Sequence, residues 1–587
     1  MESATYQIHD DKVIIRLKDR VCDTSTELIT SALFRRMLQQ CISKLERKSS
    51  KLLKIFETKS ITDDDIELLV QSIHYLCKIP AHLVPDVCRG SEQFLRDPML
   101  LYEFIEYFYN YWRQMKRLIV CDSFGNQLDK RPYRTFNATI ERLTHLIRGT
   151  YRDIQENLSG VHPRIYRQVP AGAATATIAL PKDIPYPEEK FEKLNDISII
   201  RQTLTYPPLI INTPMNKRKG MFERVYENPL DHINIEKENW LCYPAKVGDL
   251  IIMVYFSMAY YELGFALSNL FELADDEDLE HKPDAIYLYG TPEDIGKKSG
   301  KSSTIFYDDE ENDLLIGAVP ESPEFSYFGY LKKMMLTLHN IKMMKNGKLP
   351  FHGALVNIGL RDKGNATVLL IGDSGAGKSE TLEALRMIGE EEIDDLLILA
   401  DDMGSLRIDS GGYVIGIGTE IGAFVRLDDL QPGFAFGQID RTIIMNPSQV
   451  NARVVIPITS FNYVIKGYKV DYVFYANNYD EIDEDHPIIE PFQSIQEALH
   501  TFREGTVMSK GTTTTTGLVH SYFANIFGPP QYRDLHEKLA EEYFKALFDK
   551  NVFVGEIRTR LSISGYERSG PEESARELLR LISKNSE

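Results

Sequence analysis

Residues 366–382 read ATVLLIGDSGAGKSETL, and the loop in the middle of this stretch decides how the chain is read. Gly372-Asp373-Ser374-Gly375-Ala376-Gly377-Lys378-Ser379 fits G-x-x-x-x-G-K-[ST], with an apolar run, Val368–Ile371, before it and a helix-compatible stretch, Glu380–Met387, after it. In that setting glycines let backbone N–H groups converge on phosphate oxygens, and the helix N-terminus adds positive potential. Lys378 can reach the outer phosphates of a nucleotide, and Ser379 can ligate Mg²⁺. The loop is expected at the surface, with a lysine that makes no core contact. Further on, Leu396-Leu-Ile-Leu-Ala400 has strand length and ends in Asp401-Asp402. A carboxylate pair at a strand end beside a phosphate loop stands where a metal ligand is needed. Together the two stretches point to phosphoryl transfer with a divalent metal.

Composition narrows the setting. A chain of 587 residues has room for roughly two to four domains. With 67 basic against 86 acidic side chains the net charge is −19, which argues against a nucleic-acid surface or an anionic-membrane surface; the small anionic substrate expected as partner follows from the phosphoryl-transfer motifs, not from the charge. The opening residues, MESATYQIHDDKV, carry acidic groups and no apolar core, so they do not read as a secretory signal. The longest apolar run, Leu250–Tyr261, falls short of the roughly 20 residues of a membrane helix and reads as a buried core element. Cys22, Cys41, Cys77, Cys88, Cys121 and Cys242 lack C-x-x-C spacing, which fits a reducing cytoplasm.

Taken in order, residues 25–160 read as helical. Leu28, Leu33, Met37, Leu38, Cys41, Ile42 and Leu45 fall on one helical face, Thr62-Asp-Asp-Asp65 has the form of a cap, and the aromatic stretch Tyr102–Trp112 reads as helix–helix core. A further pattern, Ile140, Leu143, Ile147, Tyr151, Ile154 and Leu158, runs to Gly160. Prolines between 163 and 187 punctuate the chain. After residue 326 come short apolar runs at Leu355–Ile358, Val368–Ile371, Leu396–Leu399, Val414–Ile417, Val454–Ile458 and Val470–Tyr475, then Ser509-Lys-Gly-Thr-Thr-Thr-Thr-Thr-Gly517, a candidate lid, and a helical pattern over Asp534–Leu547. Gly300-Lys301-Ser302 imitates a phosphate loop but lacks its first glycine, and Lys217-Arg218-Lys219 reads as a solvated basic cluster. The expected layout is an α/β protein with a helical accessory domain over 1–165, a mixed α/β lobe over 166–325 and a P-loop lobe over 326–587. Self-association or a protein partner is assigned to the helical domain.

Over roughly 300–587 these motifs resemble the ATP-dependent phosphoenolpyruvate carboxykinases, and the central piece, Phe351–Gly359 with GDSGAGKSETLEAL and LILADD, also resembles the HPr kinase/phosphorylases, particularly in Asp373, Ser379 and Glu380. The flanks favour the carboxykinases. Tyr327-Phe-Gly-Tyr-Leu-Lys332-Lys333 is similar to the segment that supplies a substrate-side Tyr and a metal-ligating Lys, matched by Tyr327 and Lys333. His352 matches the family's metal-ligating His, Asp401-Asp402 its acidic pair, Arg453 its phosphate- and substrate-contacting Arg, and Arg426 falls where it keeps a phosphate-binding Lys. The Gly-Arg-Ser-Pro segment whose Arg holds the oxaloacetate carboxylate has no match, Thr213–Lys219 being the nearest candidate.

The resemblance implies ATP and Mg²⁺ on the loop residues Gly372 to Glu380 with Arg426, and Mn²⁺ on Lys333, His352 and Asp402, where the lysine can ligate only when neutral. The implied reaction converts oxaloacetate and ATP to phosphoenolpyruvate, CO₂ and ADP, with Lys333, Asp401, Asp402 and Arg453 as the catalytic set. Without the arginine clamp, oxaloacetate turnover is expected to be weak or replaced by that of a related anion. The alternatives are a kinase of a protein or small-molecule hydroxyl, with Asp401 or Asp402 as base, and a nucleotide-sensing module without catalysis.

Overall fold

The computed structural model of the protein describes residues 4–17, 21–58, 60–122, 132–162, 169–215, 222–293, 295, 304–361, 363–373, 375–389, 392–427, 439–484, 486–510, 516–526 and 528–585. The architecture is α/β, helices combined with several mixed sheets. The chain forms two compact units, Met1–Leu180 with Ile200–Tyr206, and Pro181–Ile199 with Pro207–Glu587. Residues on both sides of position 325 lie in the second unit.

In the first unit the amphipathic patterns become helices. Helix α1 (Ala32–Arg47) buries Met37, Leu38, Cys41, Ile42 and Leu45. Helix α2 (Asp63–Leu76) begins in a capping box, in which the Thr62 hydroxyl accepts from the Asp65 N–H and the Asp65 carboxylate accepts from the Thr62 N–H. The aromatic stretch forms α3 (Pro98–Gln114), and α4 (Pro132–Ser159) turns Ile140, Leu143 and Ile154 into the same core. The expectation of an all-helical domain is corrected by β1 (Ala4–His9), β2 (Lys12–Leu17) and β3 (Lys116–Asp122). Strand β1 is antiparallel to β2, β2 is parallel to β3, and β3 is parallel to Thr175–Leu180. Val13-Ile14-Ile15 and Leu118-Ile119-Val120 are short β-branched or aliphatic runs buried on both faces, a pattern that fits a covered strand. Their partners are distant in the chain, Lys12 lying opposite Lys116, so no local period announces the pairing.

The second unit holds parallel strands Leu250–Ser257, Ala285–Thr291 and Leu314–Pro320 in one sheet. The Leu250–Tyr261 run supplies the first of them and the turn that follows. Helix α5 (Phe328–Lys345) comes next and is buried on nearly all faces. A nine-stranded sheet is then built on the long strand β4 (Leu349–Leu360). On one edge β4 pairs antiparallel with β5 (Gly364–Ile371), which leads to α6 (Lys378–Ile388). On the other edge the second half of β4 pairs with β6 (Ile393–Ala400) and its first half with β7 (Met403–Ile408), so the β6–β7 turn lies against the middle of β4. Beyond β5, the parallel strands Tyr472–Asn477 and Phe553–Arg558 extend the sheet. A four-stranded sheet contains β8 (Gly422–Arg426) and β9 (Arg453–Pro457). All six strand-like runs after 326 fall on strands, with small shifts at the ends, and the last helical pattern lies in Pro529–Asp549.

No described helix is long and apolar enough to cross a membrane. Lys217-Arg218-Lys219, Gly300-Lys301-Ser302 and residues 511–515 of the expected lid lie outside the described residues, while Thr506–Lys510 and Thr516–His520 on either side of the last form an antiparallel pair.

The passage from α3 into β3 depends on Arg117, which is 5% exposed. Its guanidinium donates to the carbonyls of Trp112 at 3.1 Å, Arg113 at 2.7 Å, Met115 at 2.6 Å and Gly172, so one side chain satisfies the last carbonyls of the helix. Burial, and then the nearby Arg113, lower its pKa to about 10. Arg117→Met keeps the stem and removes the donor from the carbonyls of Arg113, Met115 and Gly172, while the Trp112 carbonyl keeps the Met115 N–H. Urea denaturation of the variant is expected to show the first unit destabilised by roughly 3–5 kcal/mol, and a midpoint equal to wild type would contradict this role.

Candidate active site

The phosphate loop has the expected setting, β5 ending at Ile371 and α6 starting at Lys378. Gly375 and Gly377 take φ of +82° and +93°, and a Cβ on Gly377 would meet Thr559 Oγ1 at 2.5 Å. The Thr559 hydroxyl in turn donates to the Ala376 carbonyl at 2.7 Å and braces the loop from the side. Lys378 departs from the expected surface lysine. It is buried, and Nζ donates to the carbonyls of Gly372 at 2.6 Å and Asp373 at 3.1 Å. The tight turn leaves these two carbonyls facing back across the loop, and the ammonium satisfies them. Glu380 stands in the first turn of α6, and Ser374 lies outside the described residues.

His352 on β4 joins this loop to the acidic turn. Its carbonyl accepts from the Gly372 N–H at 3.3 Å, its backbone lies opposite Met403 of β7, and the next residue, Gly353, donates its N–H to the Asp402 carbonyl at 3.0 Å. The ring is 2% exposed, with Nδ1 bonded to the carbonyl of Ala524 and Nε2 at 2.9 Å from Asp402 Oδ1. Ala524 sits in a turn of three successive left-handed residues, Phe523, Ala524 and Asn525, with φ of 44°, 57° and 62°. Such backbone is uncommon outside glycine and marks a turn shaped by what it must reach.

Asp402 gathers the site's nitrogen groups. Its Oδ2 lies 2.9 Å from Lys333 Nζ and 2.8 Å from Lys332 Nζ, and Lys332 also reaches Glu420 Oε1 at 3.4 Å. Neighbouring residues on a helix diverge by about 100°, but the long lysine stems of α5 let both ammonium groups converge on one oxygen. Burial by itself would raise the Asp402 carboxyl, yet Lys332, Lys333 and His352 hold it well below the usual carboxylate range. Asp401 goes the other way. Burial raises it, against the opposing pull of Lys332, Lys378 and a hydrogen bond from Ser379. Burial also pushes Glu420 up to about 7, with Lys332 opposing and the like charges of Asp402 and Asp401 adding. Lys332, almost without exposure, is held charged because Asp402 and Glu420 outweigh its desolvation. Lys332 and Glu420 were not among the candidates read from the motifs. The available signal was a pair of adjacent lysines in the first turns of a helix rich in apolar residues on every side.

A second group forms where α5 begins. Tyr327 is the residue before the helix, its ring 6.1 Å from that of Phe424, and the Arg453 guanidinium lies 5.4 Å from the same Phe424 ring while donating to Asn451 Oδ1 at 3.1 Å. In the β8–β9 pair Arg426 is directly opposite Arg453. Like charges in that position repel, and an anion bound between them would offset the repulsion.

The expected metal ligands Lys333, His352 and Asp402 are brought together, although among the described residues no group of three or more His, Cys, Asp or Glu side chains is placed to hold a metal ion. The donor set fits a cation in one specific respect. The Ala524 carbonyl can only accept, so Nδ1 of His352 carries a proton, and Nε2 then meets the Asp402 carboxylate either as a second N–H or through a cation. The expected Ser379 is linked to Asp401, not to this trio, as a separate ligand for the loop would be. No family model matches the chain, and no curated protein matches it in sequence, so the resemblance rests on these motifs alone.

Folded Glu420 keeps its proton to about pH 7, whereas an unfolded glutamate loses it near 4.5. The folded state therefore binds more protons between those values, and this group's contribution to stability is full below about 4.5 and declines as the pH rises to about 7. Glu420→Gln is expected to reduce the fall in urea midpoint between pH 5 and pH 7. An unchanged slope would show that Glu420 titrates no differently folded than unfolded.

Proposed function

We propose that the second unit transfers the γ-phosphoryl group of ATP in a cation-dependent, phosphoenolpyruvate-carboxykinase-like reaction. Oxaloacetate loses CO₂, and the enolate oxygen so formed takes the phosphoryl group, leaving phosphoenolpyruvate and ADP. The observation that carries this reading is the common anchorage of the phosphate loop and the Asp401-Asp402 turn on His352 and Gly353, with Lys333 on the same carboxylate. Divalent cations such as Mg²⁺ at Ser379 and Mn²⁺ at Lys333, His352 and Asp402 would offset phosphate charge and polarise the acceptor oxygen. The chain's own groups do the rest. Lys378 exchanges its two loop carbonyls for phosphate oxygens, and the first N–H groups of α6 face the same oxygens. Arg426 and Arg453 share the anion that relieves their cross-strand repulsion, and Tyr327, whose ring shares Phe424 as a neighbour with Arg453, is assigned to the substrate side.

One observation favours a kinase acting on a larger hydroxyl acceptor. A pocket of about 730 Å³ opens at Ser379 and Asp401, with Leu382, Leu396 and Ile456 in its walls and Arg386 and Arg441 among its polar groups. It has more room and more hydrocarbon than a four-carbon diacid uses. Asp401, whose pKa burial raises above the ordinary carboxylate value, is the group there placed to accept a hydroxyl proton.

γ-Labelled ATP with oxaloacetate, Mg²⁺ and Mn²⁺ tests both readings. Label in phosphoenolpyruvate is the expected outcome, and Lys378→Ala and Asp402→Asn are each expected to lower the rate by roughly two to three powers of ten. Label on a hydroxyl acceptor with none in phosphoenolpyruvate assigns the site to a kinase. Tight ATP binding with no labelled product at all assigns it to a nucleotide-sensing module.

A further inference from the structure

The first unit contains a cavity that the phosphoryl-transfer reading leaves unused. It measures about 180 Å³ and lies between Ile15 and Leu17 of β2 and the helices α1, α3 and α4. Protein interiors pack to the density of organic crystals and keep few voids larger than a water molecule. An apolar cavity of comparable size, about 150 Å³, stays dry and takes up benzene. Left empty, such a space forfeits the dispersion contacts of its whole lining.

The lining states what the space accepts. Phe34, Phe108, Tyr109, Trp112 and Tyr151 all face it, and no Asp, Glu, Lys, Arg or His is among the described residues that line it. Tyr109 and Tyr151 are stacked with ring centres 3.8 Å apart, and Phe34 meets Phe108 edge to face at 5.2 Å. Three polar handles of this wall are committed elsewhere. The Trp112 N–H donates to the Ala171 carbonyl at 2.8 Å, the Ser31 hydroxyl to the Leu28 carbonyl at 2.7 Å, and the Tyr151 hydroxyl to Glu106.

Thr150 is the exception. It lines the cavity from α4, is 5% exposed, and its buried hydroxyl has no hydrogen-bond partner. On the same helix the Thr144 hydroxyl donates to the Ile140 carbonyl at 3.2 Å, which shows the intrahelical alternative that Thr150 does not take. A buried polar group without a partner is costly and uncommon. At one end of the cavity Thr5 and Tyr6 are exposed, which provides a way in.

We propose that this cavity is a binding site for a small uncharged aromatic molecule, between phenol and indole in size, that carries one hydrogen-bonding group for Thr150. The aromatic walls take the ring, the absence of Asp, Glu, Lys, Arg and His from the described lining excludes a charged ligand, and the Thr150 hydroxyl selects a ring with a polar substituent over a bare one.

The test uses the full chain with phenol, benzene and benzoate as probes, followed by titration calorimetry and thermal melting. Phenol is expected to bind with one-to-one stoichiometry and raise the melting temperature, benzene to bind about tenfold more weakly, and benzoate to leave the melting temperature unmoved. Thr150→Val, of the same shape, is expected to bring phenol down to the affinity of benzene while melting no lower than wild type. Leu143→Phe, which fills the space from α4, is expected to lose both. Failure of wild type to bind either neutral probe at millimolar concentration overturns the site. Equal affinity for phenol and benzoate overturns the uncharged class, and a Thr150→Val chain that still prefers phenol overturns the role of the hydroxyl.

Discussion

Lys332 is an ammonium group with almost no access to water, and the centre of the second unit is arranged so that it can stay charged. Taking an ion out of water costs several kcal/mol unless its partners are close and well placed. Here the partners are Asp402 at 2.8 Å and Glu420 at 3.4 Å, one from the turn between β6 and β7 and the other from the segment before β8. Meeting that requirement fixes α5 against both segments. It also brings Lys333, the next residue, to the same Asp402 oxygen. The cluster of lysines and carboxylates is thus a constraint on packing before it is a set of reactive groups.

The same constraint separates the carboxyl groups by function. Asp402 has Lys332, Lys333 and His352 around it and stays ionised, whereas Glu420 and Asp401 lie deeper in the balance between burial and like charge and hold protons longer. Adjacent acids with opposite tendencies are what general acid–base chemistry near neutral pH needs. The phosphate loop meets this group through backbone, the His352 carbonyl and the Gly353 N–H binding Gly372 and Asp402 respectively, and through the Ser379 hydroxyl on Asp401. Backbone anchorage of that kind allows side chains to exchange partners without moving the frame, as Lys378 would in the reaction we propose.

The first unit follows a different logic. Its strands are held by parallel pairing between β2 and β3, its helix ends by the Arg117 guanidinium, and its core retains an apolar space with a single unmet hydroxyl. Among its described residues nothing offers the density of charge found around Asp402, and their chemistry is that of burial and shape.

How much could be read beforehand differs between the two units for physical reasons. The sequence by itself determined the strand–loop–helix at 366–388, the strand that ends in Asp401-Asp402, and the helical faces of α1 and α4, because each rests on local spacing: a glycine pattern, an apolar run of fixed length, a period of 3.6. It also marked Lys333, His352 and Asp402 one by one through their motifs. Only the tertiary structure decided that these three meet, that Lys332 and Glu420 lie beneath them, that Lys378 is folded into its own loop, and that β2 and β3 make a sheet in a region that reads as helical. Lys378 turns onto carbonyls only five and six residues back, but each of the other outcomes is a pairing between residues far apart in the chain, settled by which buried charge or strand edge finds a partner, and no window of local sequence contains both members.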